Sequence, residues 1–403
     1  MKNYFLLALN NLRRRKLRSW LTMIGIFIGI AAVVALMSLG QGLQNAIEEQ
    51  FEQLGSDKII ISSKGMGPPG SAVSDSLILT SVDLKIIENV RGVEWAVGFL
   101  VKQGQAKFKG DIGIGFASGL SAKDREILKD LPGFEVIEGR SLKDGDKFKV
   151  VVGYNHAYKD IWKRRVEIGD TIEIEDYDFK VVGIMEKIGN PIDDGIMHVP
   201  KETLKEILNV GDEESQILAK TSKGFDPMDV ADTIERKLRK SRGEKEDQET
   251  FNVATSEQLL ETFTDIFAVI QGVLIGIAGI SLLVGGVGIA NTMYTSVLER
   301  TKEIGTMKAI GAKNSDILKL FLYEAGLLGM IGGAIGILIG IGLGKGAEYL
   351  ATVGLGTDLL RAAFPWYLII GALVFSFLIG SLSGVLPAMQ ASKLKPVDAL
   401  RYE

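Results

Sequence analysis

The sequence predicts a membrane α-helical bundle of four transmembrane helices, with a large α+β extracytoplasmic domain inserted between the first and second. Three observations carry this. Four stretches, 19–47, 266–298, 325–344 and 362–392, contain no Asp, Glu, Lys or Arg. Each reaches the roughly 20 residues that a helix needs to cross about 30 Å of hydrocarbon, and lipid offers the backbone no partners, so each must be helical. The long segment 48–265 has instead the mixed charge and short apolar runs of a folded soluble domain. Lys2, Arg13, Arg14, Arg15, Lys16 and Arg18 precede the first span with no acid among them, which puts the N-terminus in the cytoplasm under the positive-inside rule.

Composition points the same way. Apolar residues make up 46% of the chain and the mean hydropathy is +0.20, which leans toward membrane. A net charge of -4 argues against nucleic-acid binding, which needs a basic surface. Cysteine is absent, so disulfides, Cys-based zinc sites and thiol nucleophiles are excluded together.

In order along the chain, 1–18 is read as a cytoplasmic amphipathic segment and 19–40 as the first transmembrane helix. The uncharged stretch is too long for a signal-peptide apolar region of about 7–15 residues, so a retained anchor is expected. Past Met37 an apolar helical stripe continues through Leu39, Leu43, Ile47, Phe51 and Leu54 to Gly55.

The extracytoplasmic domain covers 41–265. Within it "DKIIISS" reads as a strand, "VDLKIIENV" as a helix, "FKVVVG" as a strand, and "DTIEIEDYDFKVVGIMEK" as a hairpin around Asp176. "MDVADTIERKLRKS" reads as an amphipathic helix, Pro68-Pro69-Gly70 as a loop and 241–250 as a charged surface turn. Thr255 and Gln258 match a capping box, so a helix should run over 256–298, roughly 65 Å at about 1.5 Å per residue. Its part 266–298 is the second transmembrane helix. Both of the first two helices should therefore project outward as a stiff stalk.

The basic residues Arg300, Lys302, Lys308, Lys313 and Lys319 place 299–324 inside. The third helix is 325–344, the outer loop 345–361, the fourth helix 362–392 and the cytoplasmic tail 393–403.

Glu299 to Gly311 joins the second and third helices. Ile304, Met307 and Ile310 recur at three-residue spacing and set an apolar edge, while Glu299, Arg300, Lys302, Glu303 and Lys308 occupy much of the rest. Gly311 can end this helix, and Asn314 or Ser315 can cap the next. The expectation is a short amphipathic helix on the inner membrane face. Within the spans, Gly25/Gly29, Gly272/Gly276, Gly329/Gly333, Gly336/Gly340 and Gly380/Gly384 repeat at four-residue spacing, which permits close helix approach within the bundle and across a dimer.

No charged residue lies in the core of a span, so an ion-coupled transporter is disfavoured. His156 and His198 are isolated and read as surface or structural, and Glu173, Glu175, Asp176 and Asp178 as a solvated hairpin without the glycine turn of a calcium loop. No catalytic constellation is apparent.

"ERTKEIGTMKAIGA" resembles the signature of the FtsX-like permeases, and "PAMQASKLKPVDALRYE" the end of their last span. The opening "NNLRRRKLRSWLTMIGIFIGIAAVVAL", with "VIEGRSLKDGDKFKVVVGYNHA" and "VEIGDTIEIEDYDFKVVGIMEK", resembles the MacB branch. The resemblance implies a permease subunit of a type VII ABC transporter, with an FtsX-like permease region at about 266–403. By the same resemblance 299–311 is the coupling helix that docks on a nucleotide-binding subunit. The outer domain has a porter part at about 56–115 and 215–254 and a sabre part at about 116–214.

The implied working form is a homodimer in the cell membrane, embedded in its lipids, with two copies of an ABC ATPase. It acts by mechanotransmission to export or extract an amphipathic cargo, and an extracytoplasmic adaptor or substrate protein is a further candidate partner. The resemblance also admits a regulator that activates an envelope hydrolase or relays a signal. No Gly-x-x-x-x-Gly-Lys-Ser/Thr occurs, since "GLGKGAE" at 342–348 has glycine after Lys345. The chain itself is therefore expected to be no enzyme and to hold no cofactor, with ATP and Mg bound by a separate ATPase.

Overall fold

The structure is a computed structural model that describes residues 16–64, 79–129, 131, 133–159, 161–355, 357 and 359–400. Residues 1–15, the Pro68-Pro69-Gly70 turn and Arg401 lie outside the described residues. The chain divides into two compact units, one of Met1–Gln44, Asp265–Leu350 and Leu360–Glu403, the other of Asn45–Thr264 and Ala351–Leu359.

Helix α1 runs from Lys16 to Leu54 without a break. It ends where the stripe ends, because Gly55 takes a left-handed φ of +93 and its N–H returns to the Phe51 carbonyl. Then follow β1 (Lys58–Ser63), β2 (Leu79–Thr80) and α2 (Ser81–Glu88), the last opened by a Thr80/Asp83 capping box. A long hairpin comes next, β3 (Val93–Phe108) and β4 (Asp111–Leu120), turned at Lys109 and Gly110, both with positive φ.

The chain continues with α3 (Ala122–Leu128), β5 (Val136–Gly139), β6 (Lys149–Val152), α4 (Tyr154–Tyr158), β7 (Thr171–Ile174) and β8 (Tyr177–Met185). The β7–β8 turn sits at Glu175 and Asp176, each at positive φ, as a two-residue hairpin of this twist requires. After β9 (Ile196–Pro200) come α5 (Lys201–Leu208), β10 (Glu213–Glu214), β11 (Gln216–Thr221), α6 (Pro227–Arg242) and β12 (Phe251–Thr255).

Ten of these strands form one sheet among the described residues, and it encloses two cores. In the first, β12, β1, β11 and β3 pair antiparallel. Ile59, Ile61, Ile217 and Ala219 pack under α2 and α6, against Ile87, Val230, Ile234 and Leu238. Ile60, Val97 and Leu218 face the other way, onto Leu128, Leu54 and Leu259. Both faces of β1 are covered, which is why "IIIS" reads as a continuous apolar run and not an alternation.

In the second core the pairings β3–β4–β9–β6–β8–β7 return to β3 through Ala106↔Ile174 and close a six-stranded ring. Its interior holds Leu100, Phe108, Val150, Val152, Phe179 and Met197. Closure removes sheet edges that would otherwise invite strand addition. The change from one core to the other lies inside β3, at Phe99 and Leu100. One continuous strand serves both cores, pairing with β11 through Phe99 and with β4 from Leu100.

The stretch 241–250 is not simply a charged surface turn. Arg242 belongs to α6 and holds buried Asp83 at 2.7 Å, and Glu244 accepts the Thr250 N–H at 2.9 Å. Burial pushes the Asp83 carboxyl up, but Arg242 and Thr80 outweigh it and hold the group below the usual carboxylate range.

β12 passes directly into α7 (Ser256–Glu299). The capping box is formed in both directions, Thr255 N–H to Gln258 Oε1 at 2.9 Å and Gln258 N–H to Thr255 Oγ1 at 3.1 Å. Beyond it lie α8 (Thr301–Ala309), α9 (Asn314–Leu350), α10 (Trp366–Ser383), α11 (Val385–Lys393) and α12 (Pro396–Leu400). Four helices among the described residues are long and apolar enough to cross a membrane.

Two spans differ from expectation. The third outgrows 325–344 at both ends as α9. The fourth, expected as one helix over 362–392, is split, with α10 starting only after Pro365 and a turn at Gly384 preceding α11. Proline lacks the N–H that a helix interior needs, so Pro365 sits at the N-cap, while Pro387 is tolerated in the first turn of α11. Trp366 and Tyr367 open α10 and are exposed, as expected of aromatic anchors at a membrane–water interface.

Candidate coupling site

The predicted helix between the second and third long helices is α8, held to the bundle at both ends. Arg300, its N-cap residue, sends Nη1 to Glu324 Oε2 of α9 at 2.9 Å and Nε to Glu303 Oε2 at 2.9 Å. Its guanidinium also lies 5.4 Å from the Phe321 ring centroid, within cation–π range. Burial opposes the charge, but the two carboxylates outweigh it and hold Arg300 above its ordinary value.

At the other end, Lys308 Nζ donates to the carbonyls of Ser392 at 2.6 Å and Leu394 at 2.7 Å. These close the C-terminus of α11, where backbone carbonyls lack helical partners and a cation is favoured. Helix α12 packs along α8 just beyond.

Between these fixings Ile304 is fully buried and Met307 packs on the bundle core. Ile310 departs from the expected apolar edge: it is 82% exposed. Three-residue spacing suits a helix, but α8 ends at Ala309, and Ile310 follows as the C-cap residue. Gly311 is exposed at φ +106, where a side chain would be strained. The cap of α9 is not the expected Asn314 or Ser315 hydroxyl or amide; Asp316 reaches back to the Lys313 N–H at 3.1 Å. The outward side of the connection therefore presents Glu299, Lys302, Glu303, Thr306, Ile310 and Lys313.

The glycines show how the bundle supports this site. A Cβ on Gly25 would come within 2.7 Å of Gly285 Cα, so α1 and α7 meet backbone to backbone, and Gly29 abuts Leu282. On α9, Gly336 and Gly340 face α1 at the Phe27 and Ala31 carbonyls, while Gly329 and Gly333 face Ser376 and Gly380 of α10. Gly380 and Gly384 lie against Ala325. At Gly272 and Gly276 a Cβ would meet nothing within 4 Å. Sequence reasoning missed Gly285, Phe321, Glu324 and the two carbonyls that Lys308 binds.

A model described as the MacB-like periplasmic core domain matches residues 19–237, and one described as the FtsX-like permease C-terminal matches 275–396. The chain belongs to the MacB/FtsX-like ABC transporter permeases. An uncharacterized ABC transporter permease of Methanocaldococcus jannaschii is 39% identical to this permease over 98% of its chain and 97% of that one. The YknZ permease of Bacillus subtilis is 27% identical over 98% of each chain.

The permease spans 97% of its own length but 60% of the macrolide export ATP-binding/permease protein MacB of Bdellovibrio bacteriovorus, at 31% identity. The crystal structure of the periplasmic region of MacB from Actinobacillus actinomycetemcomitans aligns with 54% of the permease and 97% of that chain, at 16% identity and a TM-score of 0.43. Membership of an ABC permease family implies a partner ATPase. Elsewhere in the permease, His156 is a neutral tautomer, accepting from Trp162 at Nδ1 (3.0 Å) and donating from Nε2 to the Gly195 carbonyl (2.9 Å). Lys107 bridges Glu173 and Asp176 of the acidic hairpin.

Proposed function

We propose that this chain is the mechanotransmitting permease subunit of an ABC transporter. A separate ATPase docks on α8 from the cytoplasm, and closure of the two ATPases of a homodimer moves the domain 41–265 on the far side of the membrane. The movement exports or extracts an amphipathic cargo such as a peptide, lipoprotein, lipid or drug. Both chain termini lie in the cytoplasm on this reading, as the basic residues around the first span and after the fourth require.

The observation that carries the reading is the way the two long helices end. α1 leads to β1 within a few residues of Gly55 and α7 follows β12 with none between. β1 and β12 are paired directly, Ile59↔Thr255. Leu54 and Leu259 pack into one cluster, and the Phe51 and Phe263 rings meet as a tilted pair with centroids 6.0 Å apart. Uninterrupted helices with their ends stapled by a strand pair suit the transmission of force, because a helix resists bending where its hydrogen-bond ladder is intact. The absence of charge from the span cores argues for a lever over an ion path. Only 11% of the apolar window of α7 is buried within the chain, which leaves a face for lipid or a second copy.

The test is Lys302→Glu in the full-length protein co-expressed with its cognate ATPase. Lys302 is exposed on α8, so the fold should survive. Co-purification of the ATPase and permease-stimulated ATP hydrolysis should both fall at least severalfold. If both stay at wild-type level, α8 is not the docking element.

A further inference from the structure

The C-terminal helix α12 is the feature that the reading above leaves without a role. It is short, Pro396–Leu400, and closed by the Ala399 N–H to the Lys395 carbonyl at 3.0 Å. Ala399 is 1% exposed, whereas Val397 is 68% exposed. A helix this short does not persist by its own propensity. Its position is set by its packing along α8 and by Lys308, whose Nζ binds the Ser392 and Leu394 carbonyls at the entrance to α12. Leu394 joins Met307 and Ala312 at the margin of the bundle core. A single lysine of α8 thus fastens the tail to the coupling site.

We propose that α12 is the second half of the ATPase docking surface, with Val397 as its apolar anchor, Ile310 as that of the α8 end, and Lys308 as the positioning residue that sets α12 against α8. This rests on the docking role proposed for α8 and adds an element to it. Two large apolar side chains, Ile310 and Val397, stand out on two packed elements. The same two elements and their flanking residues carry the exposed cations Lys302, Lys313, Lys393 and Lys395 and the exposed anions Glu303 and Asp398. Apolar anchors inside a polar rim are the anatomy of a protein interface. A surface meant for anionic lipid would not carry Glu303 and Asp398 among its lysines, since each repels a phosphate. The partner implied is a protein with an apolar cleft bordered mainly by carboxylates, and for an ABC permease that partner is its ATPase.

Three variants of the full-length permease, each with its cognate ATPase, test this. Val397→Asp changes an exposed side chain and should weaken ATPase binding at least tenfold, the scale of losing an interface anchor. Lys308→Met removes the fastening while keeping the chain length, and should weaken binding severalfold without altering any outward-facing group. Val397→Cys uses the absence of native cysteine: with a maleimide photo-cross-linker it should form an adduct with the ATPase, a proximity readout that a destabilised fold would not create. Wild-type binding by Val397→Asp, or adducts formed only with lipid, would overturn the proposal. Loss of binding by Lys302→Glu with full binding by Val397→Asp would remove α12 and leave α8 standing. The reverse pattern would remove α8 alone.

Discussion

Replacing Glu324 by glutamine is the sharpest test of how α8 is held. Arg300 and Glu324 are 2.9 Å apart with side chains 13% and 8% exposed, so neither charge is well hydrated. Removing one partner of a buried pair costs about 3–5 kcal/mol, because the other charge stays buried and uncompensated. Arg300 keeps two lesser supports. The Phe321 ring contributes about 0.5–2 kcal/mol, and Glu303, being 66% exposed, at most about 1 kcal/mol.

The loss expected for Glu324→Gln is therefore about 3 kcal/mol, the low end of that range because these supports remain, and for Glu303→Gln under about 1 kcal/mol. The assay is the unfolding midpoint of the purified permease in detergent, where the first should fall by several degrees and the second by little. The double variant Arg300→Met with Glu324→Leu should regain most of the stability, since an apolar pair can replace a buried ion pair. On the docking role proposed for α8 it should nevertheless lose ATPase coupling, because α8 is no longer orientated. Equal destabilisation by Glu324→Gln and Glu303→Gln would refute the reasoning.

Two further outcomes follow from the geometry. Gly25→Val must displace Gly285 at a contact of 2.7 Å and should cost about 1–3 kcal/mol by overpacking. Gly276→Val meets nothing within 4 Å and should leave the monomer's midpoint unchanged, so any effect it has on cross-linked dimer yield reads the proposed homodimer directly. Burial, with Arg125 beside it, holds His198 at about 4 in the folded state, against about 6.5 unfolded. The unfolded chain then binds more protons, so this residue contributes stability above pH 6.5 that is lost as pH falls toward 4, by roughly 3 kcal/mol at most. Asp193, raised to about 6 by burial and by Asp194, acts with the opposite sign. Comparing wild type with His198→Gln by hydrogen exchange of the β9 amides between pH 7.5 and 5 isolates the histidine, and identical pH profiles would exclude it.

What was legible in the sequence was local. The capping box at Thr255, the φ freedom of Gly55 and the alternation around Asp176 each set a boundary by interactions within a few residues, and the second long helix ends at Glu299, one residue past its predicted end. Non-local pairings were not legible. Nothing in "EWAVGFLVKQGQAKF" announces one strand shared by two cores, because the register that decides it is contributed by Gly119 on one side and Gln216 on the other. Four-residue glycine spacing announces close approach without naming the neighbour. Gly329/Gly333 and Gly336/Gly340 lie on one helix and serve different partners.

The charges at the proposed coupling site were misplaced for a related reason. Arg300 and Lys308 read as part of a solvated face, yet both point into the protein, one to Glu324 and one to the end of α11. A signal for the first was available in Glu324 itself, the last charged residue before the apolar run 325–344. A carboxylate at the threshold of a span, packed among helices, is costly unless a cation answers it. The cation must come from a residue at the same level on a neighbouring helix, and Arg300, the first basic residue after the preceding span, meets that condition. Lys308 had no comparable signal, since its partners are backbone carbonyls whose availability depends on α11 ending at Lys393. A charge beside a span edge is therefore better read first as one half of a pair and only afterwards as part of a surface.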